Sequence, residues 1–431
     1  MTHRLPLLVL LCACAVGCVR KPELIVTDIP DDPGPPPPVQ QPYGSHRMPY
    51  AKGSILPSGS RSELDDATRK FYDYWKKTYL KSGCEEGQYY VAADTKPTNL
   101  TVSEAHGYGM IILALMAGHD PNAKLYFDGM IRYFREHESA LTPGLMAWYQ
   151  SKTCRDTGGD NSATDGDLDI AYGLLLADRQ WGSCHGIEYI TEARRVIGAI
   201  SRRGLSSDAR WILLGDWVTK SDGHYNGTRP SDFMMGHLRS YQAATGDTLW
   251  SGVVDNLYWI AEQVQVKHAP TTGLIPDFVE APGSAPRPAA AGFLEGHRDG
   301  SYAYNACRIP LRLGTDYVVN GDPRAKRIMQ RLNGFVQQVS GGDPTALRAG
   351  YRLDGEPMTD YETMAFTGPF GVGAMVDPAN QAWLDALWQH TVSRKPERYY
   401  EDTLKMLSML VMSGNWWAPE KVANPCAGEP K

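Results

Sequence analysis

Apolar residues recur along the chain at the three- and four-residue spacing of a helix that buries one face. Phe71, Tyr72, Trp75 and Tyr79 form one such stripe, and similar stripes follow at short intervals. Strong β-hairpin signals are few. The pattern predicts about twelve helices, at residues 62–81, 103–117, 121–138, 166–180, 186–203, 231–245, 247–266, 306–319, 323–340, 360–376, 379–392 and 400–412.

A turn built on aspartate separates several of these helices. Asp120-Pro121, Asp247, Asp322-Pro323 and Asp377-Pro378 each follow an apolar helix and open another, because aspartate caps a helix start and proline fits its first turn. The recurrence indicates a weak internal repeat of helical hairpins. Short and long connections alternate, which favours an all-α ring of six hairpins. The short turns should lie on one face, and the long connections should surround a cleft on the other.

One candidate for chemistry lies where the first long connection meets a helix. In the segment TVSEAHGYGM, Ser103 is the expected N-cap and Glu104 falls in the first helical turn. A carboxylate there complements the helix dipole. Gly107 and Gly109 remove side chains nearby and permit a close approach. Helix capping alone would explain Glu104, so a catalytic role for it depends on whether other acids lie nearby.

Two further acidic clusters change that interpretation. Asp165, Asp167 and Asp169 open the next apolar run, and a third cluster lies within residues 293–308. Three carboxylates in five residues exceed what capping requires. Because all three clusters follow long connections, we expect them on one rim of the ring. Two opposed carboxylates are the minimum equipment for hydrolysing a glycosidic bond.

Three segments resemble the best-known blocks of glycoside hydrolase family 8. They are SEAHGYGM, ATDGDLDIAYGLLLAD and YAYNACRIPLRLGTDY, and they occur in the order of that family. The resemblance extends from about Phe71 to Trp417. It implies an (α/α)6 barrel, in agreement with the ring of hairpins that the helix pattern favours.

The resemblance also implies catalytic roles. Glu104 matches the general acid, and Asp165 matches the aspartate that contacts the sugar at the scissile bond. Where the best-known branch has a water-activating aspartate, this chain has Asn305, and an amide takes no proton at neutral pH. Either the protein is inactive or its base lies elsewhere.

A second branch of the family, with chitosanases and endoglucanases, takes its base from an inserted loop just upstream. The loop 282–300 resembles that insertion, so Glu295 is the predicted base, with Glu280 and Asp299 as alternatives. Arg308 is expected to pair with Asp165 or Asp167, whereas Asp169 is expected to be structural. The predicted substrate contacts are Trp148, Trp217, Tyr304, Asn305, Asp167, Arg308 and Tyr399.

These expectations give an inverting endo-β-1,4-glycanase that needs no cofactor and no metal. The substrate would be chitosan or a β-glucan such as cellulose or lichenan, with xylan or xylo-oligosaccharide as an alternative. A surface glycan-binding lipoprotein on an inactive hydrolase scaffold is the competing hypothesis, and Asn305 is its best support.

Composition narrows the partners. Of 431 residues, 42% are hydrophobic and 21% charged, as in ordinary soluble domains. The net charge of −6 gives no indication of a nucleic-acid partner. Aromatic residues make up 10%, which suits stacking on sugar rings or simply a large core. A monomer is expected.

The N-terminus has the pattern of an export signal. An apolar segment follows Arg4 and ends in Ala15-Val-Gly-Cys18, which resembles a lipobox and predicts a lipidated Cys18. We therefore expect a lipoprotein signal peptide at 1–18, a proline-rich linker at 19–58, the catalytic domain at 59–420 and a tail at 421–431. The protein would be exported and held at the bacterial cell envelope, with the outer membrane as the expected site, or be secreted.

Five cysteines remain after the signal segment: Cys84, Cys154, Cys184, Cys307 and Cys426. An exported protein permits disulfides, and five is odd, so at least one thiol is unpaired within a monomer. The spacing alone reveals no pairing.

Overall fold

The computed structural model describes residues 39–93, 98–156, 158–184 and 186–426. Within them lie twelve α-helices, which confirms the predicted all-α (α/α)6 barrel. The helices are α1 Arg61–Tyr79, α2 Ser103–Leu115, α3 Ala123–Glu136, α4 Thr164–Trp181, α5 Tyr189–Arg203, α6 Met235–Thr245, α7 Leu249–His268, α8 Ile309–Asn320, α9 Pro323–Ser340, α10 Met364–Ala374, α11 Gln381–Ser393 and α12 Tyr399–Met412.

The even-numbered helices form an inner ring, and the odd-numbered helices pack around it. Contacts run from α2 through α4, α6, α8 and α10 to α12, and α12 closes the ring against α2. Helix α4 is almost wholly buried, as is α2 except at Glu104, because inner helices touch neighbours on every side. Outer helices such as α3 and α9 bury one stripe only.

The inner helices approach one another closely where glycine replaces a side chain. A Cβ on Gly107 of α2 would lie 2.5 Å from the Asp169 Cβ of α4. One expectation at this place was wrong. The N-cap of α2 is Val102, and Ser103 is already the first helical residue without a capping hydrogen bond from its side chain.

Short antiparallel strands decorate the long connections. They are β1 Leu80–Ser82, β2 Tyr89–Val91, β3 Asn99–Val102, β4 Tyr149–Ser151, β5 Gly227–Thr228, β6 Val279–Glu280 and β7 Arg287–Pro288. The pairs are β1–β2 and β3–β4, and a three-stranded sheet has the order β5-β6-β7. The β3–β4 pair places Trp148 beside the start of α2, where the Ser103 N–H donates to the Trp148 carbonyl.

Residues 39–58, expected to belong to the linker, form an arm that packs against the barrel. Backbone N–H groups of the arm donate to carbonyls near the C-terminal ends of inner helices: Tyr43 to Ala117, Ala51 to Val318 and Ile55 to Met375. Such carbonyls have no partner within their own helix. The folded unit therefore includes this arm, whereas the predicted signal peptide, Cys18 and the run of prolines lie outside the described residues.

Among the described residues, two disulfides join distant parts of the chain. Cys84 bonds to Cys154 and Cys184 bonds to Cys426, while Cys307 is buried with a free thiol. The second bond fastens the described part of the predicted tail to the α4–α5 turn. No helix in the described ranges has the length and apolar character needed to span a bilayer.

Candidate active site

The N-terminal ends of the inner helices meet at the end of the barrel opposite the arm, and Arg308 lies at their centre. Its Nη1 donates to Glu104 Oε2 at 2.7 Å and to Asp165 Oδ2 at 2.8 Å. Its Nη2 donates to Ser231 Oγ at 2.9 Å and to Asn305 Oδ1 at 2.8 Å. One buried guanidinium thus joins residues from four parts of the chain, and Asp165 rather than Asp167 is its acidic partner.

Glu104 lies at the start of α2, and its side chain is 18% exposed. The Tyr399 hydroxyl, from the start of α12, donates to Glu104 Oε1 at 3.1 Å. Burial raises the pKa of Glu104 to about 7, against the opposing charge of Arg308 and with support from Asp165. A carboxyl group with this pKa is protonated below neutral pH and can give its proton to a substrate oxygen.

Asp165 lies at the start of α4 between two arginines. Arg229 contacts its Oδ1 at 2.8 Å, and the Gly166 N–H donates to the same oxygen at 2.9 Å. Burial alone would raise the pKa of Asp165, but Arg229 and Arg308 hold it well below the usual range. Glu104 and Asp165 are therefore neighbouring carboxyl groups with pKa values pushed apart, a pattern that separates an acid from a permanent anion.

Sequence reasoning did not identify Arg229 or its second partner, Asp232. The Arg229 Nε donates to Asp232 Oδ1 at 2.9 Å. Burial raises the pKa of Asp232 to about 6, although Arg229 opposes the shift. Arg229 precedes and Asp232 ends the short 3-10 helix Pro230–Asp232 ahead of α6. Their segment, GTRPSD, carries no pattern that separates it from an ordinary turn.

Asn305 connects this centre to the loop that carries Glu295. The Asn305 Nδ2 donates to Glu295 Oε2 at 2.8 Å. Because Arg308 donates to Asn305 Oδ1, the amide nitrogen must face Glu295. A chain of three hydrogen bonds thus runs from Glu295 through Asn305 and Arg308 to Glu104. The structure brings together the predicted acid, the predicted base, Asp165, Asn305 and Arg308.

The two alternative bases have other partners. Asp299 is buried, and its carboxylate accepts N–H bonds from Leu294, Glu295 and Gly296 at 2.7, 3.1 and 3.0 Å. It therefore shapes the turn that presents Glu295. Glu280 accepts the Ala290 N–H at 3.0 Å and lies 3.6 Å from Arg287, within the sheet that supports the loop.

Asp277 is a site-supporting residue that sequence reasoning missed. Its Oδ1 accepts N–H bonds from Ala303, Asn305 and Ala306 at 3.0, 3.1 and 2.6 Å. Burial raises the pKa of Asp277 to about 7. The carboxylate thereby fixes the turn that aims Asn305. An acid inside the otherwise apolar stretch LIPDFV was the available signal.

Asp167 was predicted to contact the substrate, but its buried position does not support that role. Asp167 is only 1% exposed, and its Oδ1 accepts the Met146 N–H at 2.8 Å. The carboxylate thus supports the α3–α4 connection. Asp169 is structural as expected, since it pairs with Arg312 through two hydrogen bonds and with His237.

The aromatic residues predicted to contact substrate differ in their exposure to solvent. Trp148, Trp217 and Tyr304 are partly exposed and lie in long connections. Tyr399 is fully buried and meets Glu104 through its hydroxyl, so stacking on a sugar is ruled out for its ring. Tyr361, which sequence reasoning missed, is 48% exposed, and its hydroxyl lies 3.2 Å from that of Tyr304. The described ranges contain no cluster of three or more residues suited to holding a metal ion.

Comparison with known proteins gives consistent matches. The family model described as glycosyl hydrolases family 8 matches residues 59–414. A beta-glucanase of Niallia circulans is 44% identical over 378 residues, covering 88% of this chain and 91% of its own. An endoglucanase of Bacillus sp. strain KSM-330 is 40% identical over 378 residues, covering 85% and 80%.

A solved structure matches as well. The apo form of a beta-1,3-1,4-glucanase from Paenibacillus sp. X4 superposes with a TM-score of 0.85 at 44% identity. The match covers 88% of this chain and 99% of that one.

Proposed function

The chain belongs to the glycosyl hydrolases of family 8, and from that premise we propose that it is an inverting endo-β-glucanase acting on β-1,4-linked or mixed β-1,3-1,4-linked glucan. That it is a glycoside hydrolase follows from the family. The substrate class is supported by the names of its relatives, a beta-glucanase, an endoglucanase and a beta-1,3-1,4-glucanase.

The charges at the cleft floor favour a neutral glucan over chitosan. Arg229 and Arg308 stand beside Asp165, and burial keeps Glu104 protonated below neutral pH. The two arginines offset the charges of Asp165 and Asp232, so this group of residues attracts ammonium groups only weakly. Xylan remains the alternative that the sequence raised.

In the proposed mechanism, Glu104 protonates the oxygen of the leaving sugar. Asp165 stays ionised and stabilises the positive charge that develops on the sugar ring. Glu295 accepts a proton from water on the opposite face of the ring. This assignment is supported by one observation above all, the 2.8 Å hydrogen bond from Asn305 to Glu295, which attaches the loop base to the centre that holds Glu104.

Asn305 suits this arrangement better than an aspartate would. A carboxylate at position 305 would lie against that of Glu295 and repel it, whereas the amide donates a hydrogen bond to Glu295 Oε2. Asn305, which supported the hypothesis of an inactive scaffold, is thus also compatible with an enzyme whose general base is Glu295 of the loop.

The decisive experiment compares three single variants on soluble β-glucan. Glu104→Gln and Glu295→Gln should each lose about 100- to 10,000-fold in kcat, the usual loss on removing a positioned proton-transfer group. Glu280→Gln is the matched control and should keep its activity. Full activity in Glu295→Gln would refute the assignment, and loss in Glu280→Gln would move the base there.

Two further measurements complete the test. Parallel assays on lichenan, carboxymethylcellulose, chitosan and xylan decide the substrate, and a preference for chitosan would contradict the argument from charge. NMR of fresh product should show the inverted anomer. Wild-type protein without activity on any of the four polymers would support the glycan-binding hypothesis.

We also propose that the protein is exported and anchored by a lipid on Cys18. The support is the sequence Ala15-Val-Gly-Cys18 alone.

A further inference from the structure

His224 bridges two of the long connections that build the cleft. It belongs to the α5–α6 connection, 204–234, and contacts the α7–α8 connection, 269–308, which carries Glu295. Its Nδ1 lies 2.7 Å from Asp222 Oδ1, and its Nε2 lies 2.9 Å from the Phe293 carbonyl oxygen. Both facing atoms are acceptors, so each ring nitrogen needs a proton to form its hydrogen bond. The two bonds coexist only when the ring is an imidazolium.

Loss of one proton would break a particular bond. Asp222 carries a negative charge, and the His224 backbone N–H and ring hold the pKa of Asp222 below its usual range. The bond to this carboxylate is stronger than the bond to a neutral carbonyl. The remaining proton of a neutral ring therefore stays on Nδ1, and the contact between Nε2 and Phe293 is the one lost.

We propose that His224 is a positioning residue, whose protonation latches the turn that presents Glu295 to the cleft. The Phe293 carbonyl is two residues from Glu295. Asp299 binds the N–H groups of Leu294, Glu295 and Gly296 with one carboxylate, so the turn behaves as a unit. A hydrogen bond that fixes Phe293 consequently restricts Glu295 as well. The consequence for catalysis rests on the proposed role of Glu295 as the base.

The surroundings of the ring leave it within reach of solvent. The His224 side chain is 30% exposed and open to proton exchange. Asp222 is the charged group that faces it from its own connection, and the opposite connection presents the uncharged carbonyl and ring of Phe293. The acids of that turn, Glu295 and Asp299, are engaged with Asn305 and with backbone N–H groups.

The latch also touches a proposed sugar platform. Trp217 meets the imidazole edge-on, with ring centroids 5.4 Å apart, and Phe293 meets it at 5.2 Å. His224 thus couples the wall that carries Trp217 to the loop that carries Glu295.

Hydrogen–deuterium exchange tests the latch without relying on turnover. We compare the backbone amides of 290–299 at pH about 5.5 and about 8, on either side of the usual histidine titration, after correction for intrinsic exchange. Protection in the wild type should fall several-fold at the higher pH, while the peptide of α9 remains unchanged. Equal protection of 290–299 at both pH values would overturn the proposal.

Two substitutions at position 224 sharpen the comparison. His224→Gln keeps an N–H donor for the Phe293 carbonyl but does not titrate, so protection should be independent of pH. His224→Leu removes the donor, and protection should be low at both pH values. Wild-type protection in His224→Leu would also overturn the latch.

Asp222→Asn provides a third variant that leaves the ring in place. Without the carboxylate charge, nothing holds the remaining proton of a neutral ring on Nδ1, so Nε2–H can keep its bond to the Phe293 carbonyl. The fall in protection at the higher pH should therefore be much smaller than in the wild type. A fall as large as in the wild type would contradict the role of this pair.

Kinetics then separates the latch from the catalytic assignment. Below the transition, His224→Leu should lower kcat several-fold with little change in KM, and His224→Gln should restore it. If the exchange pattern holds while kcat does not change, the latch stands and the proposed role of Glu295 fails.

Discussion

The hydroxyl of Tyr399 offers a sensitive test of how the acid is tuned. It donates to Glu104 Oε1 at 3.1 Å, and a donor of this kind stabilises the ionised carboxylate and lowers its pKa. Tyr399→Phe removes the donor while keeping the buried ring. The pKa of Glu104, about 7 in the intact site, should therefore rise.

The size of the shift follows from the bond. A hydrogen bond to a charged group contributes about 1.5–3 kcal/mol, and the 3.1 Å length of this one places it at the lower end. At 1.36 kcal/mol per pKa unit, the expected rise is about one unit. Because the general acid works in its protonated form, activity falls as pH rises through its pKa. The alkaline limb of the pH profile should thus move from about 7 to about 8 in the variant.

The assay is kcat/KM on soluble β-glucan at low substrate concentration, measured from acid to alkaline pH, because this parameter reports the free enzyme. Tyr400→Phe is the matched control. Its hydroxyl donates to the Tyr304 carbonyl at 2.6 Å, so its loss should leave the limb in place. A limb that stays fixed in Tyr399→Phe, or moves to lower pH, would refute the reasoning that Glu104 sets it.

Two further predictions concern packing and anchoring. Gly107→Ala should lower the free energy of unfolding by about 1–3 kcal/mol in urea titrations, since the added Cβ overpacks the crossing of α2 with α4. Gly252→Ala is the control, because it lies on the exposed face of α7 with nothing within 4 Å of the new atom. It should raise the free energy of unfolding by about 0.5–1 kcal/mol. Equal effects of the two substitutions would count against the packing argument. Cys18→Ser should move the protein from membrane to soluble fractions, and a wild type without lipid by mass spectrometry would show that the lipobox interpretation was wrong.

The helices and their circular order could be predicted because both depend on short-range patterns. Apolar spacing marks each helix, and the Asp-Pro turns mark where one helix ends and the next begins. The start of α2 shows the limit of this information. Ser103 has the chemistry of an N-cap, but the pairing of β3 with β4 draws its N–H to the Trp148 carbonyl, and Val102 takes the capping position.

The site could be predicted only where a motif carried it. Glu104 and Asp165 were marked by acids at the starts of apolar helices, and the family resemblance gave these two residues and Glu295 their catalytic roles. Arg229 and Asp277 act through partners 64 and 28 residues away in the sequence, Asp165 and Asn305. No local pattern marks Arg229, and the apolar stretch around Asp277 marks an unusual acid without showing what it binds. The prediction that Asp167 contacts the substrate was wrong because sequence spacing does not fix the direction of a side chain. Asp167 lies at the same helix start as Asp165, but two residues of helical rotation turn it away from Arg308 and toward the Met146 N–H.

The arm at residues 39–58 distinguishes the two ends of the barrel. It lies under the C-terminal ends of the inner helices, whereas Glu104 and Asp165 lie at their N-terminal ends. A tether attached through this arm therefore joins the barrel at the end opposite the catalytic carboxyl groups. If the proposed lipid on Cys18 holds the protein at a membrane, the tether would join the barrel at the end opposite the cleft, and a long polysaccharide could enter the cleft without passing the point of attachment.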